Sequence, residues 1–317
     1  MKIRTAVLTS LLAGLLPVGA AVAQPAAMCT AAALPELPGA TTVSVTGTDG
    51  TGTYVGTARL ADESVVGVVW RDGGVEQLAE LIPADINASG LMGGYVIQDV
   101  FPDGDTRVAA VQQLDGPVDS LTVSYATWVS GVNDKGDAIG FVMLDHPVGF
   151  NFTVRWPADN RDDYVDYPGN DVVAREIDEL GYVVGYDGYG GGVVWGPDST
   201  VLHDFSGGDT VIEPVDVDNG VALATQTAPG AQPVIVRIDA VSGIATVVPN
   251  SSGWIAADIA GDNLVGNSTV GATLWRGDDA VALPSLNAGL PRADVVTADG
   301  TQVAGVSGSR ATLWTCG

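Results

Sequence analysis

The stretch Ala84-Asp85-Ile86-Asn87-Ala88-Ser89-Gly90-Leu91-Met92-Gly93-Gly94 reads as an apolar start, a polar turn, and a small-residue strand that ends in glycine. The same phrase recurs six times. It is found at Ser44 to Gly56, Gly131 to Gly140, Glu176 to Gly185, Asp216 to Ala224, Asp258 to Gly266 and Asp294 to Gly305. Taking the last residue of each phrase as a marker gives intervals of 38, 46, 45, 39, 42 and 39 residues, with a mean of 41.5.

A second phrase follows the marker, a short strand ending in tryptophan: Val68-Val69-Trp70, Val154-Arg155-Trp156, Val193-Val194-Trp195, Thr273-Leu274-Trp275 and Thr312-Leu313-Trp314. Repeats two and five carry Ala109-Ala110-Val111 and Ile235-Val236-Arg237 in that place. Recurrence between apolar neighbours assigns these tryptophans to packing between repeats. A polar turn such as Arg71-Asp72-Gly73-Gly74 then leads to one more short strand. Each repeat thus supplies three or four strands and no helix. At a period near 42 residues, this pattern defines a propeller blade rather than a helical solenoid. We expect an all-β fold, a single seven-bladed β-propeller of residues 24–317.

The ends of the chain bear on how the ring closes. Residues 1–23 combine Lys2 and Arg4, an apolar middle and Ala21-Val22-Ala23, which reads as a secretory signal peptide cleaved after Ala23. No later segment is long and apolar enough to span a membrane. The last repeat stops at its Trp strand, whereas Leu34-Pro35-Glu36-Leu37 near the start matches Leu283-Pro284-Ser285-Leu286 in repeat six. An N-terminal strand therefore completes the last blade. Cys29 and Cys316, the two cysteines, are expected to form a disulfide across that seam, which requires Cα atoms within about 7 Å of one another.

Of the 317 residues, 38 are acidic and 13 basic, and loss of the signal peptide leaves 11 bases and a formal charge of -27. There are 31 Asp and 7 Glu, a bias toward turn carboxylates. With two lysines and no basic stripe, nucleic acid is excluded as a partner. A mean hydropathy of +0.25 excludes disorder.

The repeats resemble the HAF-type extracellular repeat of exported bacterial proteins, in which a Trp strand and a Gly turn lead through Leu to an Ile-Asn-x-x-Gly-x-x-x-Gly strand. Trp70, Gly73, Leu78, Ile86, Asn87, Gly90 and Gly94 match this unit, as do Val132, Asn133, Gly136 and Gly140 in the next. The resemblance covers most of residues 44 to 314. It implies a secreted repeat scaffold and assigns no catalytic residues.

Motifs of catalysis are sparse. The two histidines, His146 and His203, read as solvated or packing residues, and the Arg276-Gly277-Asp278 tripeptide as turn chemistry. There is no G-x-S-x-G, H-E-x-x-H or C-x-x-C. Asp85, Glu176, Asp216, Asp258 and Asp294 share one repeat position, at the start of the strand placed innermost. Converging at one mouth of the channel, they would form a carboxylate ring suited to Ca²⁺; alternatively each caps its own turn. A second acidic set, Asp159, Asp162, Asp163 and Asp166, lies in the longest insertion and reads as a solvated loop, the alternative being a site for calcium or a basic partner. For ligand contact the candidates are Phe101, Phe150, Tyr164, Tyr167 and Tyr189, concentrated in repeats two to four.

Three classes of function are compatible with this reading. A secreted or periplasmic monomer that binds a polysaccharide or cell-envelope component is favoured by a clear scaffold without catalytic motifs. An extracellular polysaccharide hydrolase or lyase is the alternative, because its paired carboxylates need no local motif. A passive surface structural protein is the third.

Overall fold

The computed structural model describes residues 28–101, 104–121, 126–143, 151–169, 171–187 and 191–317. The signal-peptide reading of residues 1–23 lies outside them. The chain forms seven four-stranded antiparallel sheets arranged as blades around a central channel. From the channel outward, blade 1 is Ala40–Thr48, Tyr54–Leu60, Val65–Arg71 and Gly74–Gln77, and blade 2 is Ile82–Ile86, Leu91–Phe101, Gly104–Gln113 and Val118–Ser120. Blade 3 comprises Ala126–Val132, Ala138–Met143, Asn151–Trp156 and Val165–Asp166; blade 4 comprises Val172–Ile177, Val183–Asp187, Gly192–Trp195 and Val201–Asp204. Blade 5 is Val211–Asp218, Val221–Thr227, Val234–Asp239 and Ala245–Val247, and blade 6 is Ile255–Ala260, Asn263–Ser268, Gly271–Arg276 and Asp279–Ala282.

Blade 7 takes three strands from the C-terminus, Pro291–Val296, Gln302–Ser307 and Arg310–Cys316, and its outer strand, Cys29–Ala33, from the other end of the chain. The register pairs Cys29 with Cys316 and Ala33 with Thr312. The two cysteines are bonded, with Cα atoms 4.0 Å apart. Leu34 and Leu37 pack beyond the seam against blade 1. The ring therefore closes as expected, and the edge that the last blade would otherwise expose is paired.

The marker residues have a physical explanation. In every blade the innermost strand carries a bulge against its neighbour, between Val45 and Gly47, Pro83 and Asp85, Val129 and Gly131, Ala174 and Glu176, Pro214 and Asp216, Ala256 and Asp258, and Ala293 and Val295. The residue just before the bulge pairs with the marker each time, from Val45 with Gly56 to Ala293 with Gly305. The bulge turns a backbone carbonyl onto the marker. A Cβ on Gly94 would overlap the Ile82 carbonyl oxygen, and one on Gly305 the Arg292 carbonyl oxygen. Glycine is selected there by close approach.

The recurrent tryptophans Trp70, Trp156, Trp195, Trp275 and Trp314 are no more than 2% exposed. Four of them donate their indole N–H to the proline carbonyl that ends the preceding blade: Trp70 to Pro35 (2.9 Å), Trp195 to Pro168 (2.9 Å), Trp275 to Pro249 (3.0 Å) and Trp314 to Pro284 (2.7 Å). Pro35 thus does for blade 1 what Pro284 does for blade 7, as the match of their flanking leucines implied. In blades 2 and 5 the Trp position is held by Gln112 and Ile238, one residue later than Val111 and Arg237.

Candidate functional site at the channel mouth

Each innermost strand runs toward the same end of the channel, so the residues just after the seven bulges form one ring: Gly47, Asp85, Gly131, Glu176, Asp216, Asp258 and Val295. Four of the five acids singled out in the sequence therefore hold this ring position, and the fifth, Asp294, lines the same mouth. They stand near the end of the innermost strands, not at the start. Asp294 is displaced by one place: it is the bulged residue of blade 7, where it forms an ion pair with Arg292 (2.9 Å), and Val295 occupies the ring position.

The carboxyl groups staple neighbouring blades. Asp85 accepts the Val132 N–H of blade 3 (3.0 Å), Asp216 the Ile259 N–H of blade 6 (2.7 Å), and Asp258 the Val296 N–H of blade 7 (2.6 Å). Glu176 has one more methylene and reaches back; its carboxyl fills the space that a Cβ on Gly131 would need. Asp85 likewise lies where a Cβ on Gly47 would stand, 2.8 Å from its Oδ1. The glycines of the ring are what admit the neighbouring acids. Capping of a turn within one blade is thus only part of the role.

A second tier at the rim combines both functions. Asn87 Oδ1 caps its own turn at Leu91 N–H (2.9 Å), while its Nδ2 donates to the Asn133 carbonyl of the next blade (2.6 Å). Asn133 donates in turn to the Asp178 carbonyl (3.1 Å), and Asp178 accepts the Gly220 N–H (2.6 Å). The two asparagines of the Ile-Asn phrase are therefore inter-blade fasteners.

Crowding four carboxyls shifts their protonation. Burial pushes Asp85 up to about 7, against the hydrogen bonds from Val132 and Ile86. Burial, then the charges of Asp85 and Asp216, hold Glu176 well above the usual carboxylate range. Burial and the adjacent Asp216 do the same to Asp258, and burial raises Asp216 despite its hydrogen bonds. Asp294 is pushed up to about 6 by burial, opposed by Arg292. The ring consequently retains protons near neutral pH. With the rim residues Asp49, Asp134, Asp178, Glu179 and Asp218 it lines a depression of about 380 Å³, to which all seven innermost strands contribute.

Among the described residues, no three His, Cys, Asp or Glu side chains are placed to hold a metal ion. The carboxyl oxygens of Asp85, Asp216 and Asp258 are engaged by backbone N–H groups of the neighbouring blades instead.

Of the proposed contact aromatics, Tyr164 is 40% exposed. Tyr167 is a correction: it is 2% exposed and packs edge-on to Trp195, with centroids 5.6 Å apart. The insertion ends in the fourth strand of blade 3, and its last aromatic enters the core. Phe150, Tyr189 and His146 lie outside the described residues, and of Phe101 only its place at the end of a strand is described. His203 stacks on Phe205, and Arg276 of the adhesion-like tripeptide donates to the carbonyls of Gly300 and Cys316 (2.7 and 2.9 Å). Both do structural work. No helix among the described residues is long and apolar enough to cross a membrane.

No protein-family model matches the sequence, and no curated protein matches it. Solved structures share the fold at low identity. A streptogramin B lyase aligns over 91% of this chain and 98% of its own, with a TM-score of 0.58 and 10% identity. The Pyrococcus horikoshii acylaminoacyl peptidase aligns with 89% of this chain and 52% of its own (TM-score 0.56, 11% identity). Prolyl oligopeptidase B from Galerina marginata aligns with 87% of this chain and 49% of its own (TM-score 0.55, 9% identity). The chain spans about half the length of these two peptidases. It is a seven-bladed β-propeller, resembling at a distance the propeller regions of such proteins.

Proposed function

We propose that this chain is an exported monomeric binding module that recognises a polysaccharide or another cell-envelope component, in the manner of the HAF-type repeat proteins. The observation that carries this reading is the depression at the channel mouth: a preformed polar concavity on a rigid, disulfide-closed ring, of a size that holds a small ligand or one end of a larger one. Its hydroxyls and part-protonated carboxyls suit partners rich in hydroxyl or ammonium groups and disfavour polyanions. The test is binding of the purified mature protein to a panel of polysaccharides and envelope fractions. Retention of at least one member is expected, and retention of none would remove the reading.

A hydrolase or lyase is the second reading, favoured by one observation: Glu176 and Asp258 hold protons beside other carboxyls in one pocket, which is what a general acid needs near neutrality. Release of reducing ends or of unsaturated sugars, lost in Glu176→Gln, would support it over pure binding.

A further inference from the structure

On the side of the markers away from the carboxyl ring, the second strands differ between blades in a way that sharing a core does not require. The residue that follows each marker is Thr57 in blade 1, Tyr95 in blade 2, Phe141 in blade 3, Tyr186 in blade 4, Thr225 in blade 5, Asn267 in blade 6 and Val306 in blade 7. Three consecutive blades thus place an aromatic ring at a position where the other four carry small or polar side chains. On the innermost strand of blade 3 the residue paired with Phe141 is Trp128, also aromatic; its counterpart in blade 1, Ser44, hydrogen bonds Thr57 (2.7 Å).

Phe141 is buried and supports Trp128 edge-on, whereas Trp128, Tyr95 and Tyr186 remain half-exposed. Two of the chain's few arginines are drawn to the same arc. Arg107 stands 4.9 Å from the centre of the Tyr95 ring and 5.7 Å from that of Trp128, and Arg175 stands 5.7 Å from that of Tyr186. Both guanidinium groups are exposed, and Arg175 is also 4.0 Å from Glu213.

We infer that this arc of blades 2 to 4 is a carbohydrate-binding surface for a neutral polysaccharide. A pyranose ring presents a face of C–H groups that packs on an indole or phenol ring, and its hydroxyls accept from a planar guanidinium already held by cation–π contact. Charge argues for a neutral chain: a domain at -27 repels polyuronates, and two arginines do not reverse that field. The inference rests on the proposed reading of the protein as a binding module and adds a ligand class and a second contact surface, apart from the depression at the carboxyl mouth.

The experiment is electrophoresis of the mature protein through native gels containing soluble β-glucan, xylan, mannan or polygalacturonate, followed by calorimetric titration with whichever retards it. The expected result is retardation by a neutral polymer and none by polygalacturonate. Arg107→Gln and Trp128→Leu should each weaken that binding about tenfold, and Asp279→Asn, an exposed position on the outer strand of blade 6, should leave it unchanged. Arg107 is exposed, so its variant keeps the test valid if the Trp128 variant fails to fold. Unchanged binding in Arg107→Gln, an equal loss in Asp279→Asn, or retardation by polygalacturonate alone would overturn the inference while leaving the protein a binding module. Retardation by none of the polymers overturns the inference whatever the envelope fractions show, and the broader reading falls only if those fractions also fail to bind.

Discussion

Replacing Asp85 by Asn isolates what protonation of the mouth does to the fold. The folded-state pKa of Asp85 is pushed up to about 7 from an ordinary 3.8, so between those values the folded protein holds a proton that the unfolded chain has lost. Stability therefore falls as pH rises through this window and levels off above it. A shift of about 3 units corresponds to about 4 kcal/mol at most, an upper limit because Asp85 is part-buried at an open channel mouth, where solvent screens some of the effect. Asn cannot ionise, yet its side-chain oxygen still accepts the Val132 N–H. For a domain near 290 residues the unfolding entropy is about 0.6 kcal/mol/K. Asp85→Asn should then melt with wild type near pH 4 and roughly 3 to 6 °C above it at pH 8. Differential scanning calorimetry across pH 4 to 8 measures both limits. A variant that melts below wild type by the same amount at every pH would show that the carboxylate serves as a hydrogen-bond acceptor alone, and would refute the assignment of a retained proton.

Other consequences are open to similar measurement. Cutting the Cys29–Cys316 bridge with Cys316→Ser releases a loop with a sequence separation of 287 residues, worth about 5 kcal/mol in the chain-entropy model; thermal melting should fall by several degrees, and an unchanged midpoint contradicts a closed seam. Gly305→Ala should destabilise by about 1 to 3 kcal/mol, since its methyl group meets the Arg292 carbonyl, whereas Ala224→Gly at the equivalent place in blade 5 should cost about 1 kcal/mol or less; equal effects in denaturant titrations would discount the bulge argument. Calcium and magnesium at equal ionic strength should raise the melting temperature alike, by screening. A larger response to calcium, lost in an Asp85→Asn, Asp258→Asn double variant, would restore a specific cation site.

The fold was legible in the sequence because one backbone event, the bulge beside the marker, recurs in every blade and admits almost nothing but glycine. The tryptophans were legible because four of them share one partner, the proline carbonyl of the preceding blade. Register inside a blade was harder to read. A bulge breaks the two-residue alternation of the strand, and the turn after Val296 is one residue longer than the turn after Ile86, so Val295 stands ten residues before Gly305 where Asp85 stands nine before Gly94, and the nearby acid Asp294 is the bulged residue beside the ring position. Tyr167 was misjudged because the length of the insertion concealed a fourth strand, Val165–Asp166, that carries the ring inward. The aromatic arc was within reach, since Tyr95, Phe141 and Tyr186 each follow a marker glycine directly. Comparing the repeats at that single position would have found it.

Everything proposed for this protein depends on a ring locked where its ends meet, in a chain that leaves the cytoplasm. Non-reducing peptide mapping of the protein recovered from outside the cytoplasm tests that claim directly. It predicts a chain beginning at Gln24 and one disulfide-linked pair of peptides, one containing Cys29 and the other Cys316. A chain that retains Met1, or recovery of the two cysteines as free thiols, would contradict it.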